Sequence, residues 1–470
     1  MNFTLKFDLK SDTPLYIQLY NYITTEIKNG NIKENEKLPS KKSLSSHLNI
    51  SRTTVENAYE VLLAEGYIKS IPRSGYYVLK YEAPILFETK NKHIEIPKVY
   101  SEKSSYKYDF ATNAVDTENF PFVTWSKITK NVMYNNPDLL YIGDNCGDKI
   151  LREELIKYLH EYRGVVSSAD NIIIGAGTEY ILDILCQLLD RDSIFALENP
   201  CYTKNYKILK NNNCKIIPIP VDENGMSLSE LENSNATIAY ITPSHQFPTG
   251  ATMPIGRRTA ILNWASCSAN RYIIEDDYDS EFRYSGRPIP ALQGLDVNEK
   301  VIYIGTLSRS IAPSIRIAYA ILPTNLMYKY KKEFDYRSST VSRFEQHTLY
   351  NFMSKGHFSR HLNKIRNIYS QRKNTLVKLL RANFPKDVLK IYGEDAGLHF
   401  MISINNSMSE KELIETAKNK GVKVTGLSKY YISKPQKLEY PMLILGYSGL
   451  NEIELENAVN LLKLSWLDKN

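Results

Sequence analysis

Tyr303-Ile304-Gly305-Thr306-Leu307-Ser308-Arg309-Ser310-Ile311-Ala312-Pro313-Ser314-Ile315-Arg316 decides how this chain of 470 residues is read. The stretch continues the apolar run Lys300-Val301-Ile302-Tyr303-Ile304, whose length and β-branched content predict a buried strand. It then turns polar at Thr306, Ser308, Arg309 and Arg316. A guanidinium is no nucleophile: its pKa lies above about 12 and it has no free amine to condense with an aldehyde, whereas a lysine can be deprotonated. Outward from this strand, the runs Asn171-Ile172-Ile173-Ile174, Ser193-Ile194-Phe195-Ala196-Leu197, Thr237-Ile238-Ala239-Tyr240-Ile241 and Tyr272-Ile273-Ile274 alternate with helical stretches. That alternation, from Asp109 onward, predicts an α/β domain with a mainly parallel sheet. From near Arg343 a helical stretch Phe358–Asn383, strands near Leu398–Ile404 and Met442–Leu445, and a last helix through Trp466 predict a smaller α/β lobe.

A hydrophobic fraction of 43% is that of a globular chain, and 470 residues suggest more than one domain. No run approaches the roughly 20 apolar residues of a membrane span, and the N-terminus lacks the apolar segment of a signal peptide, so the expected location is cytoplasmic. The five cysteines show neither CxxC pairs nor metal-ligand spacing, so neither a disulfide framework nor a metal site is expected. The net charge of +7 is modest, but Lys37, Lys41, Lys42 and Arg52 fall in a run, Lys37 to Val55, that contains no acid. Such a run is either a solvated basic face or a phosphate-facing surface.

The sequence around it favours the second. Pro14 to Asn29 has apolar residues at helical spacing, and Gly30 ends it. Ser40 is placed to cap a short helix Lys41–Leu48, and Ser51 a second helix beginning at Arg52 and running to Glu65. Tyr67 to Val78 alternates apolar and polar residues around Pro72-Arg73-Ser74-Gly75, which predicts a hairpin or wing. Two short helices and a tight turn make a helix-turn-helix, whose second helix enters the major groove by its start. Residues 14–78 resemble the winged-helix domain of GntR-type bacterial repressors. The resemblance implies that Ser40, Lys41, Arg52, Thr53 and Thr54 contact duplex operator DNA, and that Arg73 and Gly75 bring the wing tip to the minor groove. The expected organisation is a DNA-binding domain over residues 1–80, a linker over 81–108 and a large domain over 109–470.

Four motifs in the large domain stand in a recognisable order. Gly175-Ala176-Gly177-Thr178-Glu179 follows a strand and opens a helix, a turn able to hold a phosphate. Thr242-Pro243-Ser244-His245-Gln246-Phe247-Pro248-Thr249-Gly250 comes next, then Ile274-Glu275-Asp276-Asp277-Tyr278, then the opening stretch. Acids ending a strand can also be a helix cap or a metal-ligand pair, but the sequence shows no histidine cluster beside them. Across nearly its whole length the chain resembles the MocR/GabR group of regulators, a GntR-type head fused to a fold-type I aminotransferase-like body. That resemblance implies a pyridoxal phosphate pocket in which Gly177, Thr178, Glu179, Thr306, Ser308 and Arg316 serve the phosphate. It implies further that Asp276 meets the pyridine nitrogen, Tyr278 the phenolic oxygen and Tyr202 the ring, with Lys204 as partner for an effector carboxylate. It also implies a head-to-tail homodimer.

Two departures from the enzymes matter. Arg309 stands where they carry the Schiff-base lysine, and Ile444 where they usually carry a carboxylate-clamping arginine. The expectation is a ligand-responsive transcription regulator without catalysis, binding pyridoxal phosphate non-covalently. The alternatives are an active aminotransferase with a DNA-binding domain, and a DNA-binding protein whose body only dimerises. Arg309 itself could pair with Asp276 or a ligand phosphate, mark a vestigial pocket, or be an engineered substitution.

Overall fold

Leu19, Ile23 and Ile27 recur at spacing four along the helix Leu15–Lys28, and all three are buried. They meet Val55, Tyr59 and Leu62 of the helix Arg52–Ala64 in one small core that also takes in Leu38, Leu44, Ile68 and Val78. In the computed structural model, which describes residues 4–8, 11–81, 106–284, 289–433 and 439–467, these elements belong to one compact unit, Met1–Glu102, and the rest of the chain to another, Lys103–Asn470. Of the expected linker, residues 82–105 lie outside the described residues.

Within the first unit the helix starts are fixed by side chains. Ser40 Oγ accepts from Ser43 N at 3.1 Å and Ser51 Oγ from Thr54 N at 3.0 Å. Each such cap stabilises its helix by about 1 kcal/mol. Asn49 takes the left-handed conformation that closes the turn between the helices Lys41–Leu48 and Arg52–Ala64. The hairpin pairs Ile68–Ile71 with Gly75–Val78, antiparallel, with Ile71 opposite Gly75.

The second unit is built on an eight-stranded sheet in the spatial order Ile172–Gly175, Ala318–Ile321, Val301–Thr306, Tyr272–Asp277, Ile238–Ile241, Ile194–Asn199, Lys215–Asp222 and Gly225–Met226. The five neighbours from Val301–Thr306 to Lys215–Asp222 pair in parallel. Helices cover such a sheet on both faces, which is why its strands read as unbroken apolar runs. Three of its strands escaped the sequence reading, of which Gly225–Met226 is only two residues long. Lys215–Asp222 contains Pro218 and Pro220, tolerated because only Val221 and Asp222 are paired on its outer side. Ala318–Ile321 runs antiparallel to both neighbours.

A second sheet of four antiparallel-paired strands, Leu389–Tyr392, His399–Ile404, Met442–Gly446 and Thr425–Gly426, forms the smaller lobe beside the 27-residue helix His357–Asn383. The segment entering the body is laced to this lobe: Tyr108–Asp109 pairs with Val422–Lys423, and Gly446 N donates to Phe110 O at 3.0 Å. A Cβ on Gly446 would lie 2.4 Å from Ala111 O, so only glycine admits this approach. The lacing fixes where the carbonyl of Thr112 points. Among the described residues, no helix is long and apolar enough to cross a membrane.

Candidate functional site

The carboxyl ends of parallel strands are where α/β sheets place ligands, and here they open on a cavity of about 200 Å³. Its lining includes Thr178, Glu179, Tyr202, Lys204, Asp276, Tyr278, Thr306, Ser308, Arg309 and Arg316, all singled out in the sequence. Gly177 stands just behind, as N-cap of the helix Thr178–Leu188 with φ +94°. A Cβ there would sit 2.2 Å from Arg316 Nη2, so glycine is what lets the guanidinium fold over the helix start.

Glu179 occupies that helix start with its own side chain. Its carboxylate accepts from Arg316 Nη2 at 2.6 Å, pairs with the Lys204 ammonium, and takes its own backbone N–H. Burial pushes the carboxyl up, but the hydrogen bonds from Lys204 and Arg316 outweigh it and hold it at about 2. The two cations expected to meet a ligand's phosphate and carboxylate are thus joined to an internal anion.

On the floor, Asp276 Oδ2 accepts from Tyr240 Oη at 2.5 Å and from Asn205 Nδ2 at 3.4 Å, and burial pushes its pKa up to about 6. Register explains its position: Asp276 lies opposite Ile304 and Asp277 opposite Gly305, just before the Thr306–Arg309 loop. Asp277 is no ligand. It is bound by the buried guanidinium of Arg163 at 2.8 Å and by Tyr303 Oη at 2.5 Å. Glu198, also on the lining, accepts from Thr242 Oγ1 at 2.6 Å, and burial pushes it up to about 7.

Arg309 does not pair with Asp276. Its Nη1 donates to Thr112 O at 2.6 Å, and no ion pair is made to it among the described residues. Its charge acts instead on Tyr278 and Tyr430, which burial pushes up and Arg309 pulls down, and on His399, which burial and Arg309 both lower. Tyr278 Oη lies 3.0 Å from His245 Nδ1, and His245 Nδ1 lies 2.9 Å from Asp279 Oδ2. With His399 these form a buried cluster that the sequence reading, which found no histidine cluster beside the acids, did not anticipate. His399 Nε2 donates to Pro248 O at 3.2 Å. Ile444 is fully buried among Phe247, Met401, Leu427 and Tyr430.

The cavity supplies no activated nucleophile. Lys204 is tied to Glu179, and burial pushes the Cys201 thiol up to about 12. What the arrangement offers is a polarised receptor: cations and a helix start at one end, carboxyls and tyrosines at the other.

In the first unit, Arg52 and Thr53 stand exposed at the start of their helix, and Arg73 (φ +62°) is exposed at the hairpin tip beside Gly75. Ser40 also faces solvent, although its hydroxyl caps a helix; Thr54 is half-buried, bonded to Ser51 Oγ at 2.8 Å. Lys41 is half-buried and paired with Glu56.

Residues 15–78 match the bacterial regulatory proteins of the gntR family. Over 456 residues, 97% of each chain, the sequence is 38% identical to the uncharacterized HTH-type transcriptional regulator YdeL of Bacillus subtilis. It is 30% identical over 479 residues to the probable rhizopine catabolism regulatory protein MocR of Rhizobium meliloti, covering 98% of this chain and 96% of that one. The chain belongs to the MocR-type GntR transcription regulators. The body of this regulator has the aminotransferase fold: it is similar to the crystal structure of Pyrococcus horikoshii kynurenine aminotransferase in complex with PMP, with a TM-score of 0.67 and 26% identity over 77% of this chain and 91% of that one. A GntR head makes the regulator a DNA-binding protein.

Sequence reasoning missed Asn113, Asn205, Tyr240 and Glu198 on the cavity wall. Asn113 and Asn205 reach it from distant loops and helices and carry no local signal. Glu198 did carry one, being a charged residue near the carboxyl end of an apolar strand in a parallel sheet.

Proposed function

We propose that the body of this regulator is a non-catalytic receptor for pyridoxal phosphate, a related vitamer or an amine combined with it, and that occupancy alters how the head engages duplex operator DNA. The carrying observation is Arg309. It lies on the cavity with its guanidinium turned to the Thr112 carbonyl, and in our reading it stands where the enzymes carry the anchoring lysine.

The residues present suit the cofactor held without a covalent bond. Thr178 and the start of its helix, Ser308 and Arg316 offer donors for a phosphate. Asp276 is a buried acid for the ring nitrogen, and Tyr278 a hydroxyl for the phenolic oxygen. The bound group would supply an aldehyde able to capture amines. The chain's own residues bind, orient and hold charge, and Arg309 provides no amine for exchange. Lys204 is the partner for an effector's carboxylate. The proposed organisation is a DNA-binding domain over 1–80, a linker and a receptor domain over 109–470, acting in the cytoplasm as a head-to-tail homodimer. Phe122, Val123, Leu140, Tyr141 and Ile142, between 64% and 86% exposed, form the kind of apolar surface that a second copy covers.

The test is Arg309→Lys. Added pyridoxal phosphate should give the variant a Schiff-base absorption that borohydride abolishes, leaving a reduced pyridoxyl adduct that dialysis does not remove, and should give the unaltered protein neither. Absence of that absorption from the variant contradicts the proposed pocket.

A further inference from the structure

Glu198, near the end of the strand Ile194–Asn199, is 3% exposed and lines the cavity. Its two oxygens are treated differently. Oε2 accepts from Thr242 Oγ1 at 2.6 Å and from Gln246 Nε2 at 3.2 Å, whereas Oε1 is buried with no hydrogen-bond partner. Buried carboxyl oxygens are almost always satisfied, and leaving one empty is unfavourable.

The neighbours that act on Glu198 are otherwise engaged. Tyr240 Oη donates to Asp276, Tyr278 Oη lies against His245 Nδ1, and Cys201 is a thiol, a weak donor. Asp276 itself is a second acid. Two carboxyls on one buried floor favour a cationic group between them.

We infer that Glu198 is a ligand-recognition residue: its unpartnered Oε1 accepts a hydrogen bond from a cationic N–H of the molecule that fills the cavity, either a protonated ring nitrogen or an amine. This rests on the reading of the cavity as a small-molecule receptor. It adds to that reading a second acid on the floor, and it selects ligands with a positive nitrogen over ligands that are anionic throughout.

Glu198→Gln tests the contact with little disturbance of the wall. Thr242 Oγ1 and Gln246 Nε2 are both donors, so they hold the amide oxygen at the Oε2 position and turn the amide NH2 to the Oε1 position. The variant thereby presents a donor where the unaltered protein presents an acceptor. Isothermal titration of the intact chain with two probes separates the outcomes. Pyridoxamine phosphate carries both a phosphate and cationic nitrogens; inorganic phosphate engages the helix start alone.

The expected result is a loss of pyridoxamine phosphate affinity on the order of 10- to 100-fold, with inorganic phosphate binding and the melting temperature unchanged. Equal affinity of variant and unaltered protein for pyridoxamine phosphate overturns the role of Glu198, a water molecule then being the partner of Oε1. Parallel loss of both probes overturns it too, because it marks a collapsed pocket and not one missing contact. If the unaltered protein binds inorganic phosphate but not pyridoxamine phosphate, the receptor reading itself falls, and this inference with it.

Discussion

Glu179→Gln sets stability against ligand binding in one residue. The Glu179 carboxylate is held at about 2 against an ordinary 4.5, which undiscounted corresponds to about 3 kcal/mol. Its side chain is 25% exposed, and those of Lys204 and Arg316 are 50% and 47% exposed, so solvent screening reduces the figure to roughly 1 kcal/mol. The sign follows from the lowered pKa: the stabilisation is fully present above about 4.5 and is lost as the pH falls toward 2. Without ligand, Glu179→Gln should therefore unfold about 1 kcal/mol more easily at pH 7, and the difference from the unaltered protein should shrink below about 4.5 and close only as the pH reaches about 2. A ligand phosphate needs Arg316 and the helix start, both of which Glu179 now occupies. Freeing both should tighten inorganic phosphate binding roughly 5- to 10-fold, the equivalent of about 1 kcal/mol. Urea unfolding at both pH values and calorimetric titration at pH 7 are the assays. Phosphate binding that is weaker in the variant, or unchanged, refutes the idea that Glu179 competes for the helix start.

Arg52→Ala should weaken operator binding by about 1–3 kcal/mol, measured by fluorescence anisotropy, with the melting curve unmoved because the side chain is exposed; unchanged affinity means that this helix does not enter the groove by its start. Arg372→Ala removes the partner of Asp116, an ion pair at 2.7 Å with both side chains at most 9% exposed. Leaving that carboxylate buried without a counter-charge, held only by hydrogen bonds from Glu118 N, Asn119 N and Asn119 Nδ2, should cost about 3 kcal/mol in urea unfolding, and a loss below about 1 kcal/mol contradicts the pairing.

The head was legible because its signals are local. Ser40 and Ser51 cap where capping residues are expected, and the apolar spacing of residues 14–29 differs from the observed helix Leu15–Lys28 only by its two capping residues. In the body, strands buried on both faces announced themselves as apolar runs. Lys215–Asp222 did not, because its prolines read as a break and only its place near the sheet edge excuses them. The antiparallel direction of Ala318–Ile321 depends on the course of the loop after Thr306, which no periodicity encodes. The pocket's motif residues were visible one by one. Three features came from partners distant in sequence: the turn of Arg309 to Thr112, the capture of Glu179 by Lys204 and Arg316, and the cluster of His245, Asp279 and His399.

The central claim, a receptor that recognises pyridoxal phosphate without bonding to it, is met most directly by thermal unfolding of the intact protein with increasing pyridoxal phosphate. A ligand held only by the native state at about 100 times its dissociation constant adds roughly 2.7 kcal/mol, so the melting temperature should rise with concentration, and dialysis should return it to the starting value. A melting temperature indifferent to pyridoxal phosphate, or a rise that persists through dialysis as a covalent adduct does, contradicts the claim.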